Sequence, residues 1–144
     1  MDNDQNDHNW TDVTQPFLVL ACAPISPKCP KALITTVFLV NPTELDIENI
    51  EVETGGHFSD PDMGVVEATG TVKRFARLNA HGAVIIEQAD PDELYEFVCT
   101  WDVKYEGAAE LLRFSLTHGR DGVAIADVPV LGGRGDLIQR WFAK

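Results

Sequence analysis

The chain has 144 residues, of which 44% are hydrophobic, and its formal net charge is −12. This length suits one domain, and the apolar content excludes a chain that is disordered throughout. The negative charge opposes direct binding to a phosphate backbone, and no apolar run approaches the roughly 18 residues of a membrane-spanning helix.

The N-terminal residues 1–15 are polar and acidic, and they are predicted to form a disordered tail. They lack the basic and apolar regions of a secretory signal, so the predicted location is the cytoplasm. The cysteines at 22, 29 and 99 lack the spacing of a zinc site and are predicted to be reduced thiols. A bridge between Cys22 and Cys29 is the alternative, and it requires an oxidising compartment.

Residues 16–131 are predicted to form a β-domain, because short apolar or alternating segments are separated by turns without any long helix. The predicted strands are residues 17–22, 32–41, 48–54, 83–88, 94–106, 111–118 and 123–130, with weaker strands inside 64–78. In 94–106 apolar side chains recur at every second position, and 111–118 returns as the second strand of an antiparallel hairpin. The pattern predicts an all-β, antiparallel two-sheet sandwich of seven to nine strands.

Three stretches carry a resemblance: VFLVNPTELDIENIEVETGG (37–56), RLNAHGAVIIE (77–87) and YEFVCTWDVKY (95–105). Their succession of strands and turns resembles bacterial immunoglobulin-like and fibronectin-III-like domains over residues 32–118. The resemblance implies an immunoglobulin-like sandwich, a fold mostly used for adhesion, binding or assembly.

The C-terminal residues 132–144 are predicted to be a glycine-rich linker followed by a short amphipathic helix. Asp136 is placed to cap this helix. Its apolar face would consist of Leu137, Ile138, Trp141 and Phe142. A helix this short is not stable alone, so its apolar face must dock on the domain itself or on a partner.

The tripeptide DPD occurs at residues 60–62 and 90–92, and both copies are predicted to be turns. A calcium site is the alternative, since calcium binds several oxygen ligands. Its candidate ligands are Asp60, Asp62, Asp90, Asp92 and Glu93. A catalytic acid pair would need burial, which exposed proline turns oppose. The chain shows no nucleophile, zinc-protease or phosphate-loop motif, so we predict no catalytic residue and no cofactor.

The predicted function is therefore a non-enzymatic protein-binding or assembly module. Aromatic side chains with arginine are favoured at interfaces, and the acidic strand face offers charge. The candidate partner-binding residues are Arg134, Arg140, Trp141, Phe142, Glu51 and Glu53. The alternative is an acidic inhibitor or nucleic-acid mimic in the basic groove of a partner, such as a nucleic-acid-binding protein. Pairing of strand edges would make the chain a homodimer.

Overall fold

The computed structural model describes residues 9–10, 12–22, 35–60, 64–67, 70–88, 98–117 and 122–141, with backbone only at 9–10, 56–60, 64–67 and 141. These residues form β-strands and no helix. The strands are β1 (Asn9–Trp10), β2 (Phe17–Ala21), β3 (Thr36–Asn41), β4 (Ile47–Asp60), β5 (Gly64–Glu67), β6 (Val72–Leu78), β7 (Gly82–Gln88), β8 (Val98–Lys104), β9 (Leu112–Thr117), β10 (Val123–Ile125), β11 (Gly135–Leu137) and β12 (Gln139–Trp141).

The larger sheet has the order β1-β12-β9-β8-β4-β5, with β6 also paired to β4. One edge of the long β4 pairs with β8, and the other pairs with β6 and then β5. The predicted hairpin is confirmed as β8–β9, where Trp101 lies opposite Phe114. Both side chains are buried, as the alternating pattern predicted.

The smaller sheet has the order β10-β11-β2-β3-β7, and every residue of β2 and β3 is buried. Glu87 lies opposite Val37, and its side chain accepts a hydrogen bond from Trp101 of the larger sheet. The cross-strand row of side chains that contains Val37 and Glu87 therefore faces the larger sheet. The row of Val123, Leu137, Val19, Phe38 and Ile85 therefore lies on the outer face. Continuous apolar strands are typical of sheets covered on both faces.

The loop after β10 lies against that outer face. A Cβ placed on Gly135 would lie 2.9 Å from Cγ2 of Val19 and 3.1 Å from Cγ2 of Val128, which brings the loop and β2 together. The backbone N–H of Gly132 donates to Val128 O, and that of Val128 donates to Gly133 O. The predicted strand over 123–130 is thus too long, because the chain turns after Ile125 to cover the sheet.

The predicted C-terminal helix is wrong within the described residues, because 135–137 and 139–141 are strands. β11 pairs with β2 in the smaller sheet, and β12 pairs with β9 in the larger one. Ile138 is the crossing point, where its N–H donates to Leu18 O. A helix this short is only marginally stable, whereas the unpaired edges of β2 and β9 offer backbone hydrogen bonds to the segment, so it forms two strands despite its helical spacing of apolar residues.

The structure describes part of the predicted N-terminal tail and two of the three cysteines. Asn9 and Trp10, inside the predicted tail, pair with β12. Cys22 is disulfide-bonded, so the prediction of reduced thiols is wrong for this residue, whereas Cys99 is a thiol. Cys29 lies outside the described residues. Within the described ranges no helix is long and apolar enough to cross a membrane.

Candidate functional site

Four connections between strands gather at one end of the two sheets, and we call this end the loop end. They are residues 12–16, 42–46, 79–81 and 105–111. Pairing of Phe17 with Val40 places the start of β2 beside the end of β3, so the first two connections are neighbours. Loops held by a rigid sheet framework are common binding sites.

Asn41 joins two of these connections from inside the protein. Its side chain is 0% exposed. The Nδ2 atom donates to the carbonyl oxygens of Leu45, Leu78 and Asn79 at 2.8, 3.3 and 3.1 Å. Its Oδ1 atom accepts from the N–H and the hydroxyl of Thr43. This set of bonds fixes the turn at 42–46 against the turn at 79–81.

Leu45 projects from that fixed turn with 75% of its surface exposed. On one side, Oε2 of Glu44 lies 2.8 Å from Nε2 of His81. On the other, the Asp46 carboxylate accepts from the N–H of Ala80 at 2.8 Å. The turn therefore presents an apolar side chain between two carboxylates, in a conformation set before any binding event.

The connection 105–111 is attached to the start of β4. The N–H of Glu106 donates to Glu48 O at 2.9 Å, and the Asn49 side-chain amide donates to the Glu106 carboxylate. Asn49 adopts a left-handed conformation with φ of 51°, which asparagine tolerates better than most residues. Pairing of Lys104 with Glu51 and these two bonds hold the loop 105–111 beside the start of β4.

Arg140 is buried below the loop 105–111, with its side chain only 7% exposed. Nη1 donates to Gln15 Oε1 at 2.9 Å, and Nη2 donates to Glu110 Oε2 at 3.1 Å. Burial raises the pKa of Asp12, but hydrogen bonds from Thr14 and Gln15 and the charge of Arg140 outweigh it and hold that pKa below its ordinary value. Two carboxylates thus surround one buried cation.

A cavity of about 380 Å³ opens beside this cluster. Its walls are formed by Tyr105, residues 107–109 and Leu112, with Gln15, Glu110 and Arg140 as the polar side. The volume lies within the roughly 300–1,000 Å³ of small-ligand sites. The small side chains at 107–109 leave this space open.

The loop end is anionic, whereas the outer face of the larger sheet is not. The loop end carries five carboxylates and no Lys or Arg within its four connections: Asp12, Glu44, Asp46, Glu106 and Glu110. On the outer face, acids and bases lie opposite each other on neighbouring strands. The bridged pairs are Glu51 with Arg74 and Lys104, Glu48 with Arg77, and Asp102 with Arg113. The predicted acidic strand face is therefore largely neutralised by its neighbours.

These cross-strand pairs shift the ionisation of two members. The hydrogen bond and charge of Lys104, with those of Arg74, hold the pKa of Glu51 below its ordinary value. The hydrogen bonds and charge of Asp102 raise the pKa of Arg113. Both side chains are near the surface, so the pairs mainly align the strands and contribute little stability.

We expect the Glu51 carboxylate to titrate below its ordinary range, because its charged form is paired. A carboxylate with a depressed folded pKa contributes stability above the unfolded pKa, and this is lost as the pH falls through the folded pKa. NMR titration of Glu51 in the protein and in the Lys104→Gln variant would measure this. The variant should raise the pKa; an unchanged value would contradict the pairing.

The structure separates the residues predicted to bind a partner. Arg140 is buried and Arg134 is partly buried. Trp141 lies in β12, while Phe142 lies outside the described residues. Glu51 is bridged as above, and Glu53 is exposed beside it. Among the candidates whose side chains are described, Arg140 is buried and the two glutamates lie on the outer face of the larger sheet, so these three do not form one patch.

The calcium candidates fall almost wholly outside the described residues. Asp60 ends β4, where only the backbone is described. The other four, Asp62, Asp90, Asp92 and Glu93, lie outside the described ranges. The described residues contain no group of three or more His, Cys, Asp or Glu side chains placed to hold a metal ion.

Sequence reasoning missed Asn41, Leu45, Gln15 and Glu110. Asn41 precedes Pro42, and this Asn-Pro turn signal is the one local clue to it in the sequence. Gln15 and Glu110 are 95 positions apart along the chain and meet only through Arg140. No local pattern encodes that meeting.

Comparison with known proteins finds no matching family model, curated protein or solved structure.

Proposed function

We propose that the chain is a non-enzymatic protein-binding module of immunoglobulin-like type, and that the loop end is its binding surface. The observation that carries the proposal is Leu45, exposed on a turn that Asn41 fixes between Glu44 and Asp46. A single exposed leucine is ordinary on a protein surface. A rigid turn that presents it, however, lowers the entropy cost of binding.

The partner's chemistry follows from the charge of the loop end. Its five carboxylates attract a surface that is basic around an apolar pocket for Leu45. Complementary charge accelerates association and selects among partners, while the buried apolar contact supplies most of the affinity. The partner we propose is therefore a protein with a basic, partly apolar surface.

The acidic inhibitor or nucleic-acid mimic remains the second candidate, and the same carboxylates favour it. A mimic would depend on charge alone, and it would use the loop end because the bridged outer face of the larger sheet offers little net charge. Leu45 distinguishes the two functions, since a mimic has no use for it.

A homodimer would have to use a different surface. Two loop ends would repel each other through their carboxylates. At the edge strand β7, Nζ of Lys73 donates to Ile86 O, and a lysine at such an edge discourages pairing with another strand. The edge of β10, which pairs only with β11 among the described strands, is the better candidate for self-pairing.

The disulfide at Cys22 bears on where such a partner would be met. Disulfides persist in oxidising compartments and are rare in the cytosol. We therefore propose an oxidising compartment in place of the cytoplasmic location that the N-terminal composition predicts.

The test of the binding surface is NMR titration of isotope-labelled protein with a short synthetic peptide of alternating lysine and leucine residues. Backbone shifts should concentrate in 42–46, 79–81 and 105–111. Leu45→Ser should weaken binding about tenfold, equivalent to about 1.4 kcal/mol, without changing stability, because the side chain is exposed.

The matched controls are two charge reversals. Glu44→Lys should weaken binding, whereas Glu53→Lys on the outer face of the larger sheet should leave it within about twofold of the wild type. If Glu44→Lys abolishes binding while Leu45→Ser does not affect it, the mimic is the better description. Equal losses from Glu44→Lys and Glu53→Lys would overturn the loop end as the binding surface.

A further inference from the structure

The cavity beside Arg140 combines an apolar wall with one oriented carboxylate. Glu110 Oε2 is held by Arg140 Nη2 at 3.1 Å, while the side chain of Glu110 stays 65% exposed. Among the described residues, the second oxygen of Glu110, Oε1, accepts no hydrogen bond. The buried guanidinium thus holds one oxygen of a carboxylate that lines the cavity and stays mostly exposed to solvent.

The cavity suits a cation better than an anion. Arg140 is balanced by Glu110 and Asp12, and the surrounding loop end adds Glu106, Glu44 and Asp46 without any Lys or Arg. An anionic ligand would have to displace Glu110 from Arg140 against this field. A cation would instead be attracted by the same charges and meet the available carboxylate oxygen.

The walls specify the rest of the ligand. Tyr105, Ala108 and Leu112 line the cavity together with Glu110, and Leu112 is only 4% exposed, so Tyr105 and Ala108 supply most of the apolar surface. A lysine side chain places an apolar methylene stem behind a compact ammonium group, which matches a carboxylate that shares the cavity with a few apolar side chains. Guanidinium is planar and wider, and a single carboxylate oxygen cannot satisfy its fork.

We propose that this cavity binds a primary alkylammonium group, with the ammonium on Glu110 and the methylene stem against Tyr105 and Ala108. The ligand is a lysine side chain of the basic partner, an assignment that rests on the proposed function. A free diamine shares the same chemistry and is distinguished by the test. Arg140 acts as the positioning residue that keeps Glu110 in place.

The experiment is NMR titration of the full chain with N-acetyl-lysine methylamide and with its norleucine counterpart, which has the same stem but no ammonium. The lysine compound should shift residues 105–112 and saturate, and the norleucine compound should bind about two- to fivefold more weakly, as expected for loss of one partly exposed ion pair. Equal binding of the two compounds, or tighter binding of propionate, would overturn the proposal.

Two variants and a matched control locate the site. Glu110→Gln removes the charge and should weaken lysine binding about three- to fivefold, and Ala109→Leu fills the space and should weaken it by a similar factor. Glu53→Gln makes the same change in net charge on the outer face of the larger sheet, and should change binding by less than about twofold. If Glu110→Gln and Glu53→Gln have equal effects, the binding is only diffuse attraction and the cavity site is wrong.

Two further outcomes separate the ligand sources and the two proposals. Cadaverine binding as tightly as a lysine-containing peptide supports a free diamine, whereas tighter binding of the peptide supports a partner's side chain. If the lysine compound fails while the alternating lysine–leucine peptide still depends on Leu45, the cavity proposal fails and the binding surface stands.

Discussion

Replacing Trp101 by alanine is expected to lower the free energy of unfolding by about 3–5 kcal/mol. Trp101 is 2% exposed on the inner face of β8, and its Nε1 donates to Glu87 Oε1 at 2.7 Å across the gap between the sheets. The alanine variant leaves a large cavity and removes the donor to Glu87. Since domains are stable by only about 5–15 kcal/mol, this is the largest single loss we expect.

Urea denaturation of the wild type and of two variants would measure it. Trp101→Phe keeps an aromatic ring in the core but has no N–H for Glu87, so its loss should be smaller, at about 1–3 kcal/mol. It also remains informative if Trp101→Ala does not fold. A loss below about 1 kcal/mol for Trp101→Ala would show that the sheets do not pack through this side chain.

Asn41→Ala is expected to cost about 2–4 kcal/mol and to loosen the loop end. The substitution removes the donor to the carbonyls of Leu45, Leu78 and Asn79 and the acceptor for Thr43. Each buried polar group left without a partner costs about 1–3 kcal/mol. The cost is less than the full sum because the groups at the exposed end of the turn can form hydrogen bonds to water instead. Urea denaturation gives the stability, and amide exchange at His81, whose N–H donates to Thr43 O, reports on the turn.

Thr43→Val is the matched control for Asn41→Ala. It removes the bonds of the Thr43 hydroxyl to the Leu45 backbone and to Oδ1 of Asn41. The three bonds of Asn41 Nδ2 and the Thr43 N–H bond remain, so the cost should stay below about 1.5 kcal/mol. Faster exchange at His81 should accompany Asn41→Ala in particular. Equal costs for the two variants would mean that Asn41 does not organise the loop end.

The sequence predicted most strands because their physics is local. Apolar and polar side chains alternate around Trp101, which indicates a strand with one buried face. The continuous apolar runs of β2 and β3 indicate strands that are buried on both faces. Turn signals such as Asn41-Pro42 located the connections. These patterns depend on neighbouring residues alone, and they were enough for an all-β chain with two antiparallel sheets.

Long-range pairing changed the interpretation of the C-terminal segment and of the charges. Leu137, Ile138 and Trp141 have helical spacing, but β2 and β9 bind this segment as two strands. The sequence alone indicates that Glu51 is part of an acidic surface, whereas strand pairing places Arg74 and Lys104 on either side of it. Strand register decides which charges are neighbours, and register is a property of the whole sheet.

By itself the sequence determined the net charge, the class of fold and the positions of the turns, since each follows from composition or from patterns a few residues long. Tertiary structure alone decided that Asn41 is buried, that Arg140 holds Glu110, and that four connections, three of which carry carboxylates, share one end of the two sheets. The physical reason is that hydrogen bonds, burial and local fields depend on distances in space, which strands far apart in the chain set only when they pair.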